Sequence, residues 1–135
     1  MPDYLLDSCV LIRHLRRHQP TTELLTTLVV EGQVGMATIS RMEIVQGMRE
    51  HERYRTMRLL DSLICYPLGA TIADLAGEYI RRYRGQGITL DKPDAIIGAT
   101  AVHHGLVLVT HNPRHFPMAE LRLYSELPPS KLGGI

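Results

Sequence analysis

Tyr4-Leu5-Leu6-Asp7-Ser8-Cys9 is a short apolar run that ends abruptly on a carboxylate. The run reads as a buried strand. After it, Val10-Leu11-Ile12-Arg13-His14-Leu15-Arg16-Arg17 sets apolar residues at helical spacing with basic ones between them. Asp7 therefore stands where a central strand hands over to a helix. In open parallel α/β sheets, ligands bind in the crevice outside the carboxyl ends of the strands. Two explanations of Asp7 stand side by side. Its side chain accepts a hydrogen bond from the first turn of the helix, or it is one of several carboxylates gathered at that crevice.

Outward from this stretch, the chain alternates helical and strand-like segments. Pro20-Thr21-Thr22-Glu23 opens a second helix with Leu24, Leu25, Leu28 and Val29 on its apolar face, and Glu31-Gly32 stops it. Residues 34–39 read as a second strand, and Ser40-Arg41-Met42-Glu43 as the start of a third helix. A polar stretch leads into an amphipathic helix through Met57, Leu59, Leu60 and Leu63, followed by a short strand over 63–68. Residues 71–83 are helical, with Ile72, Leu75, Ala76, Tyr79, Ile80 and Tyr83 at helical intervals, and Gly85-Gln86-Gly87 breaks the pattern. The segment 95–102, opened by Asp91-Lys92-Pro93-Asp94, is apolar on every side and marks a helix buried on several faces. Leu106-Val107-Leu108-Val109 is a parallel-strand pattern, residues 110–117 form a loop fixed by two prolines, and 121–124 reads as an edge strand. The expected architecture is a three-layer α/β/α sandwich around a small, mainly parallel sheet. It occupies residues 1–126, with a flexible tail rich in proline and glycine over 127–135.

Length and composition leave the function class open but narrow it. The 135 residues suit one domain, and 44% hydrophobic with 21% charged residues is ordinary globular composition. No apolar run approaches a membrane span. An acid at Asp3 and no basic lead segment show no signal peptide, and Cys9 and Cys65 have no metal-ligand spacing, so a cytoplasmic protein with reduced cysteines is expected. Net charge is +1, but cations cluster at Arg13, His14, Arg16, Arg17 and His18, and again at Arg81, Arg82 and Arg84. Either cluster can be a solvated helix face; Arg13, Arg16 and Arg17 are also candidate contacts for a polyanionic substrate or a partner.

Three acids open three helices. Ser40-x-x-Glu43 matches a capping box, in which Glu43 bonds back to the Ser40 amide in the first turn. Asp94 equally suits a helix first turn through the macrodipole. Those local readings leave the joint pattern unexplained. In a doubly wound sheet Asp7, Glu43 and Asp94 would converge on one cleft, with Thr110 and Asn112 entering it after the strand that ends at Val109. Crowded carboxylates repel, and a divalent cation relieves them; an oxygen-only ligand set favours Mg2+ or Mn2+ over zinc. Such a site suits phosphodiester hydrolysis, and one carboxylate can also take a proton from the attacking water. His103-His104 complements a helix C-terminus; His111 and His115 could touch phosphate, but read first as loop-surface residues because no zinc-like spacing links them.

At these residues the chain resembles the PIN-domain ribonucleases, and among them the VapC-type toxins of bacterial toxin–antitoxin pairs. The matching segments are Leu5-Leu6-Asp7-Ser8 with Leu11, then Ser40-x-x-Glu43 with Gly47. They continue through Leu90-x-x-x-Asp94-Ala95-x-Ile97-x-Ala99-Thr100-Ala101, Leu108-Val109-Thr110-x-Asn112 and Phe116. The resemblance implies a Mg2+- or Mn2+-dependent endoribonuclease acting on RNA, a cognate VapB-like antitoxin whose C-terminal segment covers the cleft, and a homodimeric toxin. It carries Asp7, Glu43 and Asp94 over as metal ligands and catalytic acids, places Asn112 at a fourth position where many relatives have Asp, and leaves Ser8 and Thr110 in support. His115 stands where relatives often have an acid, so the site is thinner in charge than the acidic form of the pattern.

Two other phosphoryl-transfer folds do not match. A haloacid-dehalogenase-type phosphatase needs a second acid two residues after the first, where Cys9 stands, and a receiver domain needs an Asp after its third strand, where 63–68 offers none. The alternative from another class is a non-catalytic RNA- or partner-binding protein on a degenerate PIN scaffold.

Overall fold

The computed structural model describes residues 3–124; the expected tail over 127–135 lies outside the described residues. Five strands, β1 (Tyr4–Leu6), β2 (Val34–Ala37), β3 (Ile64–Tyr66), β4 (Val107–Val109) and β5 (Arg122–Leu123), form one sheet in the order β3-β2-β1-β4-β5. Every pairing in it is parallel. The helices are α1 (Ser8–Leu15), α2 (Gln19–Glu31), α3 (Thr38–Gly47), α4 (Arg53–Ser62), α5 (Ala70–Arg84) and α6 (Lys92–His104). Short 3-10 turns cover Glu50–Glu52 and Pro113–His115.

Strand alternation creates the three layers. In β1 the side chains of Tyr4 and Leu6 join one core with Val10, Leu11, Leu28, Met36 and Leu60, while Leu5 points to the other with Tyr79, Ile97, Leu108 and Phe116. Helices α1, α2 and α4 cover the first face, and α5 and α6 pack together over the second. Ala95, Ile97, Gly98, Ala99, Thr100 and Ala101 of α6 are all buried, as its all-round apolar pattern requires, and Gly105 closes the helix in the left-handed region at φ 66°. Among the described residues no helix is long and apolar enough to cross a membrane.

One boundary differs from the sequence reading. Residues 34–39 read as a strand through the β-branched Thr38 and Ile39, but β2 ends at Ala37 and α3 begins at Thr38. The neighbouring strands run out there: the β2–β3 register ends with Ala37 opposite Tyr66, and β1 ends at Leu6. Propensity cannot extend a strand past its hydrogen-bonding partners.

Strands β2 and β3 pack closely at Gly35, where a Cβ would come within 2.6 Å of the Ile64 carbonyl oxygen and of the Tyr66 ring. At Gly98 a Cβ would meet the flexible end of Met118 at 2.7 Å instead. Gly35→Ala should therefore cost about 1–3 kcal/mol, the scale of overpacking against backbone. Gly98→Ala should stay within about 1 kcal/mol, because helix propensity offsets the displacement of Met118. Urea melts of the two variants check this ordering.

Candidate active site

Strand order reverses at β1, which lies between β2 and β4, and this switch point is where an open parallel sheet offers a crevice. Leu6 of β1 pairs with Val109 of β4, so the next residues, Asp7 and Thr110, leave the sheet side by side. Asp7 is 6% exposed. Its backbone N–H donates to the Val109 carbonyl at 3.0 Å, and the Thr110 hydroxyl donates to its Oδ2 at 2.7 Å. The Cys9 thiol donates to the same oxygen at 3.4 Å; burial, and next the Asp7 charge, push that thiol up to about 12, which keeps it a protonated donor. Ser8 Oγ lies 3.5 Å from Oδ1, too far to hold it firmly. The Asp7 carboxylate makes no capping hydrogen bond; its backbone carbonyl accepts from Val10 and Leu11 instead. The capping explanation of this side chain therefore fails.

Glu43 loses its local explanation too. Because α3 starts at Thr38, Ser40 lies inside the helix and Glu43 in its second turn, not its first, and the N-cap is Ala37. The capping box does not form. Ser40 Oγ and Glu43 Oε1 are both shut off from water without a hydrogen-bond partner among the described residues. A buried carboxylate oxygen in that condition marks a place for a water, an ion or another polar partner.

Asp94 does stand in the first turn of α6, as its dipole reading required. Burial, and next the charge of Asp7, nevertheless raise it to about 6, with smaller contributions from Asp91 and Glu43 and an opposing one from His115. Nδ1 of His115 lies 3.4 Å from Asp94 Oδ2. Asp7 and Glu43 are thus near enough to act on Asp94. Even so, no three His, Cys, Asp or Glu side chains among the described residues form a ready-made cage for an ion. The orphaned Glu43 oxygen, the raised Asp94 and an all-oxygen donor set fit a hard divalent cation.

The remaining expectations divide. The Asn112 backbone N–H donates to Thr110 Oγ1 at 3.0 Å, which ties the loop to Asp7 through the threonine, while no contact of the Asn112 side chain is seen among the described residues. Arg13 was expected on an exposed basic face, yet it is buried, because α2 and α3 pack against α1 on two sides. Arg16 and Arg17 are exposed; Arg16 lines a cleft that also reaches Glu43, and Arg17 sits in a left-handed turn at φ 63°. His111, read as a surface residue, is 2% exposed and its backbone N–H serves Cys9. The sequence reading missed Cys9 as a neighbour of Asp7; its place on the first turn of α1 was the available signal.

The raised Asp94 has a consequence for stability. Its folded value of about 6 lies above the ordinary carboxylate value of 3.8, so the native state holds a proton that the unfolded chain releases between those two points. Stability falls as pH rises through that window, and the loss is complete above it. Asp94→Asn removes the fall. Without metal, the variant should melt above the parent near about pH 7 and converge with it near about pH 4. Thermal melts over that range check it; a variant melting below the parent at neutral pH would make Asp94 a structural helix-start residue.

The PIN domain family model matches residues 4–121. Ribonuclease VapC10 of Mycobacterium tuberculosis is 39% identical over 116 residues, covering 86% of this chain and 87% of that protein. Among solved structures, a toxin–antitoxin complex from Klebsiella pneumoniae superposes with a TM-score of 0.76 at 26% identity, covering 90% of this chain and 96% of the other. VapBC2 of Rickettsia felis bound to a promoter DNA fragment reaches 0.79 at 18% identity, over 90% and 97% of the two chains. The family match spans β1 through the approach to β5 and takes in all three carboxylates, and on that ground the chain belongs to the PIN domain family.

Proposed function

We propose that this protein is a divalent-metal-dependent endoribonuclease that hydrolyses RNA phosphodiester bonds, and that it is the toxin of a VapBC-type toxin–antitoxin pair. One observation carries the reading. Asp94, raised by burial and by the nearby charges of Asp7 and Glu43, and the partnerless Glu43 oxygen are two signs of carboxylates from three separate elements drawn close together. The similarity to a ribonuclease and to toxin–antitoxin complexes supports the substrate class and a VapB-like protein partner.

Asp7, Glu43 and Asp94 would hold the cation, Mg2+ or Mn2+. When bound, such a cation supplies Lewis-acid polarisation of the scissile phosphate. The chain's own contributions are separate. Thr110 and Cys9 orient Asp7 by donating to its Oδ2, so one carboxylate edge stays directed while the other remains available. One of the carboxylates can also take a proton from the attacking water. On the loop side of Asp94, His115 Nδ1 approaches its Oδ2 at 3.4 Å.

Excess chelator should abolish RNA cleavage, and Mg2+ or Mn2+ should restore it. Asp7→Asn should lower the rate by roughly a hundredfold or more, the scale of losing one charge partner at a reacting phosphate. Expressed alone, the parent should slow growth and Asp7→Asn should not. Full cleavage in chelator, or equal toxicity from both forms, removes the mechanism.

Asn112 separates a ligand from a loop residue. Its amide can offer an oxygen without charge. Asn112→Asp should tighten Mn2+ binding in calorimetry and keep cleavage intact or improved. Asn112→Ala keeps the backbone bond to Thr110, so it should weaken cleavage less than Asp7→Asn does, with partial rescue at higher Mn2+. Parent-like binding and cleavage in both variants would place the side chain outside the site.

A further inference from the structure

Two cavities flank the reaction centre, and each takes one of its carboxylates as wall. The larger, about 360 Å³, runs between α1, α3 and the start of α4; Glu43 closes one side, Arg16 and Arg49 line it, and Ile12, Ile44 and Met48 make it partly apolar. The smaller, about 190 Å³, includes Asp94 together with Arg114 and His115. We propose that these cavities are the two ends of a single-stranded RNA track, with Arg16 and Arg49 gripping phosphates on the Glu43 side and Arg114 on the Asp94 side. The inference rests on the ribonuclease reading above and names where its substrate lies.

The charges in the larger cavity sort themselves. Arg55 is already committed, donating from Nη1 to the Leu15 carbonyl at 2.6 Å, which ties α4 to the C-terminal end of α1. Glu52 is committed as well, since its Oε1 accepts from the Arg49 backbone N–H at 2.7 Å. Arg16 and Arg49 are both exposed and form no close ion pair among the described residues, though both act on the Glu52 charge at longer range. Two exposed guanidinium groups, neither locked in a close ion pair, therefore border the acidic centre on one side. Arg114, exposed and likewise unpaired among the described residues, borders it on the other.

Continuity with the reaction centre selects RNA as the occupant. A strand whose scissile phosphate lies among Asp7, Glu43 and Asp94 must send its neighbouring nucleotides past Glu43 in one direction and past Asp94 in the other. Those are the walls of the two cavities. The carboxylates repel phosphates, so cations immediately beyond them are needed to hold the flanking backbone. Apolar surface beside Arg16 and Arg49 gives a base a place to lie without selecting its identity. Arg84 on α5 is an equally exposed cation, but it lines neither cavity.

The test uses Asp7→Asn as the non-cleaving parent and a fluorescein-labelled single-stranded RNA oligomer of mixed sequence, read by anisotropy across a salt series. Arg16→Ala, Arg49→Ala and Arg114→Ala should each weaken binding severalfold and flatten the dependence of log K on log salt by about 0.7 per lost phosphate contact. Arg16→Lys should retain most of the binding, and Arg84→Ala should match the parent. Thermal melts confirm that each variant is folded. Parent-like affinity and salt slope in the three track variants overturn the proposal. So does an equal loss in Arg84→Ala, or a loss confined to binding of a VapB-type antitoxin with RNA binding unchanged. The two levels separate cleanly: cleavage by the wild type with unaffected binding in the arginine variants sinks the track alone, whereas track-dependent binding without any metal-stimulated cleavage sinks the nuclease reading.

Discussion

A carboxylate taken out of water is costly unless it is given partners, and Asp7 sets that condition at the carboxyl end of the central strand. Its main partner, the Thr110 hydroxyl, lies 103 residues further along the chain. That contact exists only when β4 has docked against β1 in register, Leu6 opposite Val109. Completing the sheet and assembling the site are therefore one event. The thiol of Cys9 adds a local donor, but a weak one at 3.4 Å.

The three acids are then treated differently by their surroundings. Asp7 is satisfied by hydrogen bonds, Asp94 is held near the point where acid and carboxylate are equally populated at about 6, and Glu43 keeps an oxygen with no partner. A fold shaped for stability alone would not leave two of three carboxylates in that condition. A perturbed acid with two further acids close by at a sheet's switch point is an arrangement characteristic of functional sites. His115 softens the crowding at Asp94 from the loop side, in a position where a further acid would have sharpened it.

Where the sequence misled, the cause was always a neighbour that sequence does not display. Thr38 and Ile39 have strand propensity, but β2 has no partners beyond Ala37, so the helix begins early and carries Glu43 into its second turn. That one boundary removes the capping box and with it the innocuous account of Glu43. Arg13 follows the basic pattern of Arg16 and Arg17, yet α2 and α3 close over it. His111 sits in a polar loop by sequence, yet the loop folds inward against Cys9.

The sequence by itself determined the order of elements, the parallel α/β class, the largely buried character of α6 and the positions of three candidate acids. These follow from hydrophobic period, glycine and proline positions and local motif spacing, all of which act within a few residues. Only the tertiary structure decided which acids are capped, which cations are exposed and how the crevice is walled. Those depend on contacts between segments up to 103 residues apart, and on a strand register that sets Thr110 beside Asp7. Burial and like-charge proximity, which lift Asp94 and isolate the Glu43 oxygen, are properties of that assembly and of no single stretch of chain.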